Sequence, residues 1–289
     1  MLYLINKPKG ISSFDVIRML RKKFPKKTSM WHTGTLDPLA EWSMLIATNK
    51  STKLIPYIDW SKKTYVFTVF LDGNTASGDL WTEIIHFPKE YVEEKRMNIS
   101  HEIIKEYIEV SILGKQTQIP PIYSAIHING KRAYQLAREN ISLEMKAREI
   151  EIYKSRMINF CYPSVTIEVT VSSWTYIRSL GMDIWKHFWL GWYITFLQRT
   201  CIHNMPIISA QKIEEFDPNI SISYDSILHA YIKRFLTNDE KDDILNGRYI
   251  ANNTNITEWA TVFFIYENQY LGIWKIVWQD IIIIRNNII

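Results

Sequence analysis

One acid in this chain stands where its chemistry would count. Asp37 lies in His32-Thr33-Gly34-Thr35-Leu36-Asp37-Pro38-Leu39-Ala40. The proline that follows disfavours helical backbone at the aspartate and holds it in an extended loop. A small, polar, turn-forming segment of this kind brings backbone and one carboxylate close to a ligand. Phosphoryl transfer through an aspartate nucleophile calls for a second acid two residues on, and Leu39 occupies that place. Cys161 and Cys201 are two isolated cysteines, too few and too far apart for a zinc cluster or a disulfide framework. No metal site and no small-molecule cofactor are expected.

Ahead of the loop, Arg18, Arg21, Lys22, Lys23, Lys26 and Lys27 follow one another without an acid. Such a run is either a solvated helix face or a phosphate footprint, and its place directly before Asp37 favours phosphate. The net charge of +4 does not by itself announce a nucleic-acid partner. Lys7, Lys9 and the pair Lys131-Arg132 are further candidate phosphate contacts. No apolar run approaches the roughly 18–20 residues that span a bilayer. The N-terminal Met-Leu-Tyr-Leu-Ile-Asn reaches Lys7, Pro8 and Gly10 too early for a secretory leader. These readings point to a cytoplasmic protein without a membrane partner.

The elements that must position these groups follow from periodicity. Val16, Leu20 and Phe24 at four-residue spacing, with Asp15 three residues after Ser12, predict a capped helix over 13–24. A loop over 25–41, a strand over 43–48 and a short helix capped by Thr52 and ending near Ile58 come next. The run Lys63-Thr64-Tyr65-Val66-Phe67-Thr68-Val69-Phe70-Leu71 is rich in aromatic and β-branched residues and reads as a strand. A Gly/Asn/Ser loop over 71–82 and a charged helical stretch over 88–113 are expected, broken by Pro120-Pro121. After a helix over 131–139 come strands near 148–158 and 164–171, and a turn over 172–175. Ile177, Leu180, Ile184 and Phe188 give a helical stripe, followed by a strand over 193–201. Residues 204–229 read as a linker. Thr237 starts a helix that stops at Asn246-Gly247, and a hairpin over 261–277 turns at 267–269.

Four segments in this order resemble one family: Asn6-Lys7-Pro8-Lys9-Gly10-Ile11-Ser12-Ser13-Phe14-Asp15; the Asp37 loop; the 63–71 strand with Gly73-Asn74-Thr75-Ala76-Ser77-Gly78-Asp79; and Thr175-Tyr176-Ile177-Arg178-Ser179 followed by Phe196-Leu197-Gln198-Arg199-Thr200. The family is that of the TruB-type tRNA pseudouridine synthases. The resemblance extends through 119–138 and into a tail similar to the small PUA-type RNA-binding module. It implies an α+β catalytic domain (1–203) on a mixed, mainly antiparallel sheet, a linker (204–229) and a mostly β PUA-like module (230–289). It implies an isomerase acting as a monomer on the T-arm of tRNA. Asp37 is then the catalytic carboxylate and Arg178 its ion-pair partner, expected to keep the acid's pKa low. Tyr65 is a second catalytic candidate, the aromatic that packs on the target base and carries a hydroxyl that could move a proton. Tyr176 lines the pocket or orders the helix start, Leu197 walls the pocket or packs in the core, and His32 assists extrusion of the stacked base. Lys7, Lys9, Lys22, Lys23 and Lys131 contact phosphates. A non-catalytic tRNA-folding protein and a guide-RNA-dependent synthase are the rival readings; the short tail favours a stand-alone enzyme.

Departures from the family are concentrated in one residue type. Ten glycines and eleven tryptophans stand in this chain, and average glycine usage is about 7%; together the two types would match it. The family reads glycine at or near Trp31, Trp42, Trp81, Trp174, Trp185, Trp189, Trp192 and Trp274. UGA is decoded as tryptophan under one translation table and as glycine in some bacteria, so most of these positions are expected to be glycine in the living protein. Asp72 and Ser77 depart more mildly, in the loop after the 63–71 strand.

Overall fold

The computed structural model describes all residues except 35–36, 59–60, 129, 140, 247, 249, 251–259, 278–279 and 287–289. Its centre is a sheet whose main path runs Gln211–Lys212, Leu2–Lys7, Glu41–Thr48, Trp192–Ile202, Lys62–Phe70, Ser164–Ser172, Arg148–Cys161, Gly114–Gln118. Most neighbours are antiparallel; Leu2–Lys7 with Gln211–Lys212 and Trp192–Ile202 with Glu41–Thr48 are parallel. This is the mixed, mainly antiparallel sheet of an α+β fold.

Alternation explains why the middle of the sheet forms. In the 62–70 strand Tyr65, Phe67 and Val69 are buried on one face, with Val165, Ile167 and Val169 beside them on the neighbouring strand. On the opposite face Thr64 and Thr68 meet Thr170 and Thr166 at 3.1 and 2.9 Å, hydroxyl pairs that fix the register. Two helices cover the apolar face: Ser13–Arg21 through Val16, Ile17 and Leu20, and Ile177–His187 through Ile177, Leu180 and Ile184. Each such side chain contributes about 1.5–3 kcal/mol on full burial.

Several expectations need correction. The first helix ends at Arg21, three residues short of Phe24. Thr52 lies inside a 3₁₀ turn, Asn49–Tyr57, and bonds back to the Asn49 carbonyl instead of capping. The 71–82 loop contains a strand, Gly73–Asp79, because Gly73 lets the chain pass under Ile85 O and Gly191 lets it pass under Gly73 O; a Cβ at either would meet that oxygen at 2.6 and 2.4 Å. The 88–113 stretch divides into Lys89–Met97, His101–Glu106 and a π turn. Lys131-Arg132 lie in a short hairpin, and the helix begins only at Ala133. Within 204–229, read as a linker, Gln211–Lys212 form an edge strand of the main sheet and Phe216 packs against Tyr3 and Phe24.

The C-terminal segment forms a second sheet, Ile232–Phe235, Thr261–Tyr266, Gln269–Val277, Asp280–Asn286. Its helix Asn238–Leu245 starts with the expected Thr237/Glu240 capping box; the Gly247 stop lies outside the described residues. Glu267 and Asn268 make the hairpin turn in left-handed backbone. Phe263, Ile265, Tyr270 and Ile273 pack with Leu2, Leu45, Leu54 and Leu228, joining this sheet to the first.

Candidate active site

Two loops bring the acid to its place. Gly10 donates its N–H to Pro38 O at 2.7 Å, tying the Lys7–Gly10 turn to the Asp37 loop. Gly10 and Gly34 have φ of +92° and +99°, backbone that glycine enters freely. Lys7 is fully buried, and its ammonium bonds Pro8 O at 3.0 Å and Ile11 O at 2.7 Å, with Pro38 O at 3.5 Å. Burial pulls its pKa to about 8 against the attraction of Asp37, Glu41 and Asp15. Lys7 therefore staples the loop, and its expected phosphate contact is excluded by its enclosure.

Arg178, in the first turn of the 177–187 helix, is buried and faces Asp37. Nη2 donates to Asp37 Oδ1 at 3.0 Å and Nε lies 2.9 Å from Oδ2. Nη1 donates to Ser77 O at 3.0 Å and Nη2 also to Tyr123 O at 2.9 Å, while Nε makes an ion contact but no hydrogen bond among the described residues. A second acid shares it: Asp79 Oδ2 is 3.7 Å from Nε, and Asp79 Oδ1 accepts from Ser77 Oγ at 2.6 Å and from Trp81 N at 3.0 Å. The low pKa expected for Asp37 is not what this arrangement gives. Withdrawal from water pushes the carboxyl up, Arg178 opposes, and the Asp79 charge adds to the rise. With 36% of its side chain exposed at the cleft, the acid keeps one edge toward solvent.

Upstream, Gln118 fixes the turn that delivers Arg178. Its side-chain oxygen accepts from Tyr176 N at 2.8 Å and its amide donates to Tyr176 O at 3.2 Å. Asp79 and Gln118 were not singled out by the sequence; the available signals were an acid closing a Gly/Ser-rich strand and a glutamine just before Pro120-Pro121.

These groups open onto a cleft of about 720 Å³ lined by Asp37, Tyr65, Tyr176, Arg178, Leu197 and His32, within the ~300–1,000 Å³ usual for ligand sites. Tyr65 and Leu197 are buried in its floor. Burial raises the Tyr65 hydroxyl's pKa, opposed by Arg199, which hydrogen-bonds it. Arg199 is enclosed and donates Nε and Nη2 to Ser43 O at 3.1 and 2.7 Å. Arg132, a candidate phosphate contact, also lines the cleft, as do Lys63 and Arg148, which the sequence did not single out. Burial, reinforced by Arg199, lowers Lys63 to about 8. Burial likewise lowers His32, so its imidazole is held neutral.

The remaining basic candidates divide. Lys9 and Lys22 are exposed. Lys23 spends its ammonium on the carbonyls of Ile213, Glu214 and Phe216 at 3.1–3.3 Å, binding the first helix to the 211–216 segment instead of standing free for phosphate. Lys131 is exposed beside Glu139 at 3.6 Å. No helix among the described residues is long and apolar enough to cross a membrane.

Known structures share this architecture. The chain aligns over 95% of its length, and 77% of the other chain, with a protein of a Cbf5-Nop10-Gar1 complex, at TM-score 0.62 and 18% identity. It aligns over its whole length with a chain of an archaeal box H/ACA sRNP Nop10-Cbf5 complex, covering 86% of that chain at TM-score 0.62 and 14% identity. The fold class is therefore that of these proteins. Sequence gives the family. Residues 21–177 match the TruB family pseudouridylate synthase N-terminal domain. A tRNA pseudouridine synthase B of Syntrophomonas wolfei is 33% identical over 279 residues, 93% of this chain and 91% of that protein. Its counterpart in Clostridium kluyveri is 34% identical over 277 residues, 93% of each; that of Francisella tularensis is 35% identical over 264 residues, 88% of this chain and 84% of that one. The chain belongs to the TruB family of pseudouridylate synthases, which are isomerases.

Proposed function

We propose that the protein isomerises a uridine in the T-arm loop of tRNA, position 55, to pseudouridine, with Asp37 as catalytic carboxylate. The observation that carries this reading is the guanidinium of Arg178 gripping both Asp37 oxygens at the wall of a cleft floored by Tyr65. The relatives named tRNA pseudouridine synthase B supply the substrate class.

The reaction breaks the bond between N1 of uracil and C1′ of ribose, turns the base, and joins C5 to C1′. N1 ends with a proton and C5 loses one, so no electrons, phosphate or external group is exchanged. An aspartate can serve by attacking the base, by attacking the sugar, or by taking a sugar proton; all three need it ionised. Arg178 favours that ionised form against burial and Asp79. Tyr65 offers a stacking face to the uracil. Leu197 closes the floor, and Tyr176 stands at the side. Extruding a stacked base costs a few kcal/mol, and His32, neutral and half-buried, can fill the vacated stack. Lys9, Lys22, Lys131 and Arg132 hold the phosphates. The 230–289 segment acts as a PUA-like RNA-binding module on the catalytic body, and the enzyme works as a cytoplasmic monomer without a cofactor.

The decisive experiment is tritium release from tRNA carrying 5-³H uridine. The protein should release one tritium per T-arm; Asp37→Asn should release none while still binding tRNA. Release from all T-loop uridines except position 55, or full release by Asp37→Asn, would refute the reading.

A further inference from the structure

Six tryptophans have described side chains, and few of their surroundings suit an indole. Trp174 has φ +70° and Trp189 φ +55°, the left-handed region that glycine enters freely and bulky side chains rarely. Three of the five other left-handed non-glycine residues are asparagines, the short polar type that tolerates it. Both indoles face solvent, at 73% and 78% exposure, so no burial offsets the backbone strain. Trp31 and Trp81 are also exposed, at 63% and 58%. Trp185 is fully buried, but its indole N–H has no hydrogen-bond partner among the described residues, where a buried tryptophan usually finds one. The Trp192 ring lies so close over Gly78 that a Cβ there would meet it at 2.2 Å. The side chains of Trp42 and Trp274 lie outside the described residues.

Two of the exposed indoles matter to the site. Trp31 and Trp174 both line the cleft that holds Asp37. Trp31 stacks on His32 with ring centroids 6.1 Å apart, against the imidazole that the extruded base would leave room for. The Arg148 guanidinium sits 6.0 Å from the Trp174 ring and 5.7 Å from the Tyr176 ring. Without the indole at 174, Arg148 keeps Tyr176 and turns its free side to the cleft, where a phosphate would pass.

We propose that the working protein carries glycine at positions 31, 174 and 189, its gene reading UGA there as glycine. The backbone argument at 174 and 189 stands whatever the reaction; the opening of the cleft rests on the tRNA reading above. A left-handed residue with a large side chain costs about tenfold in the folding equilibrium, and two positions carry it.

Peptide mass spectrometry of the protein isolated from its own cells, beside the gene sequence, is the test. Peptides over 31, 174 and 189 should each be lighter by the difference between tryptophan and glycine, above UGA codons. UGG codons, or tryptophan in the 174 and 189 peptides, overturn the proposal. Recombinant protein separates strain from chemistry: Trp174→Gly with Trp189→Gly should melt several degrees higher than the tryptophan form, and equal or lower melting defeats the strain argument. Trp31→Gly with Trp174→Gly should bind tRNA about tenfold tighter, and unchanged affinity defeats the claim that the indoles obstruct the cleft. None of these readouts depends on turnover, so an inactive enzyme would count against the function and leave this test intact.

Discussion

Arg178 and Arg199 are both buried, at 4% and 1% exposure, both line one cleft, and they meet different partners. Arg178 faces two carboxylates, Asp37 and Asp79, and its Nη1 and Nη2 also donate to the carbonyls of Ser77 and Tyr123. Arg199 turns two nitrogens onto one strand carbonyl, Ser43 O, and reaches the Tyr65 hydroxyl. Burial pulls the Arg199 pKa down, and the Tyr65 hydroxyl beside it opposes that shift. The first guanidinium balances an anion that must stay available to substrate; the second locks two strands and a tyrosine. Enclosure alone does not mark a catalytic cation. What marks it is an acid that reaches both the cation and the open space.

The comparison can be broken in order of effect. Asp37→Asn should lower tritium release by at least about a thousandfold with tRNA affinity kept; release near the parent's rate would remove the acid from the chemistry. Arg178→Lys replaces a two-point grip by one and should cost about a hundredfold in kcat. Arg199→Lys should instead lower the melting temperature by several degrees, with kcat reduced less than about tenfold. Equal losses of kcat in the two variants would erase the distinction between them. The pH profile sharpens it further. Asp37 acts ionised and its pKa is raised by burial and Asp79, so kcat/KM should fall as pH drops through a value above the ordinary ~4. Asp79→Asn removes the neighbouring anion and should shift that acid limb downward; a limb that stays put would show Asp79 to be electrostatically silent. Smallest is Tyr65→Phe, which keeps the stacking face and loses the bond to Arg199, at about 1 kcal/mol of stability and with kcat within about fivefold.

The legible parts of the molecule are those in which chemistry and local pattern coincide. Asp37-Pro38 in its polar loop, the alternating 62–70 strand and the Thr237/Glu240 cap read from the chain directly, since each rests on neighbours in sequence. Arg178 was found through family likeness, and the structure supplies the 141-residue separation across which it meets Asp37. Lys7 was expected to contact phosphate because nothing local shows that Pro8, Ile11 and Pro38 fold their carbonyls around it. Asp79 was passed over inside a segment that reads as a loop; the segment becomes a strand by pairing with Ile84–His86 nearby and with Trp192–Ile202 far along the chain, where Asp79 meets Ile194. Raising the Asp37 pKa likewise needed the third dimension: pairing with arginine was foreseeable, the extent of enclosure and the second acid were not.

The edge of the main sheet carries a consequence for synthesis. Leu2–Lys7, which ends in the lysine stapling the acid's loop, is flanked on its outer side by Gln211–Lys212, and the Tyr3 hydroxyl bonds Pro218 O. A polypeptide that stops short of residue 211 lacks that border. Bracing of the first strand therefore waits on residues 211–218, a segment about two hundred positions further along the chain.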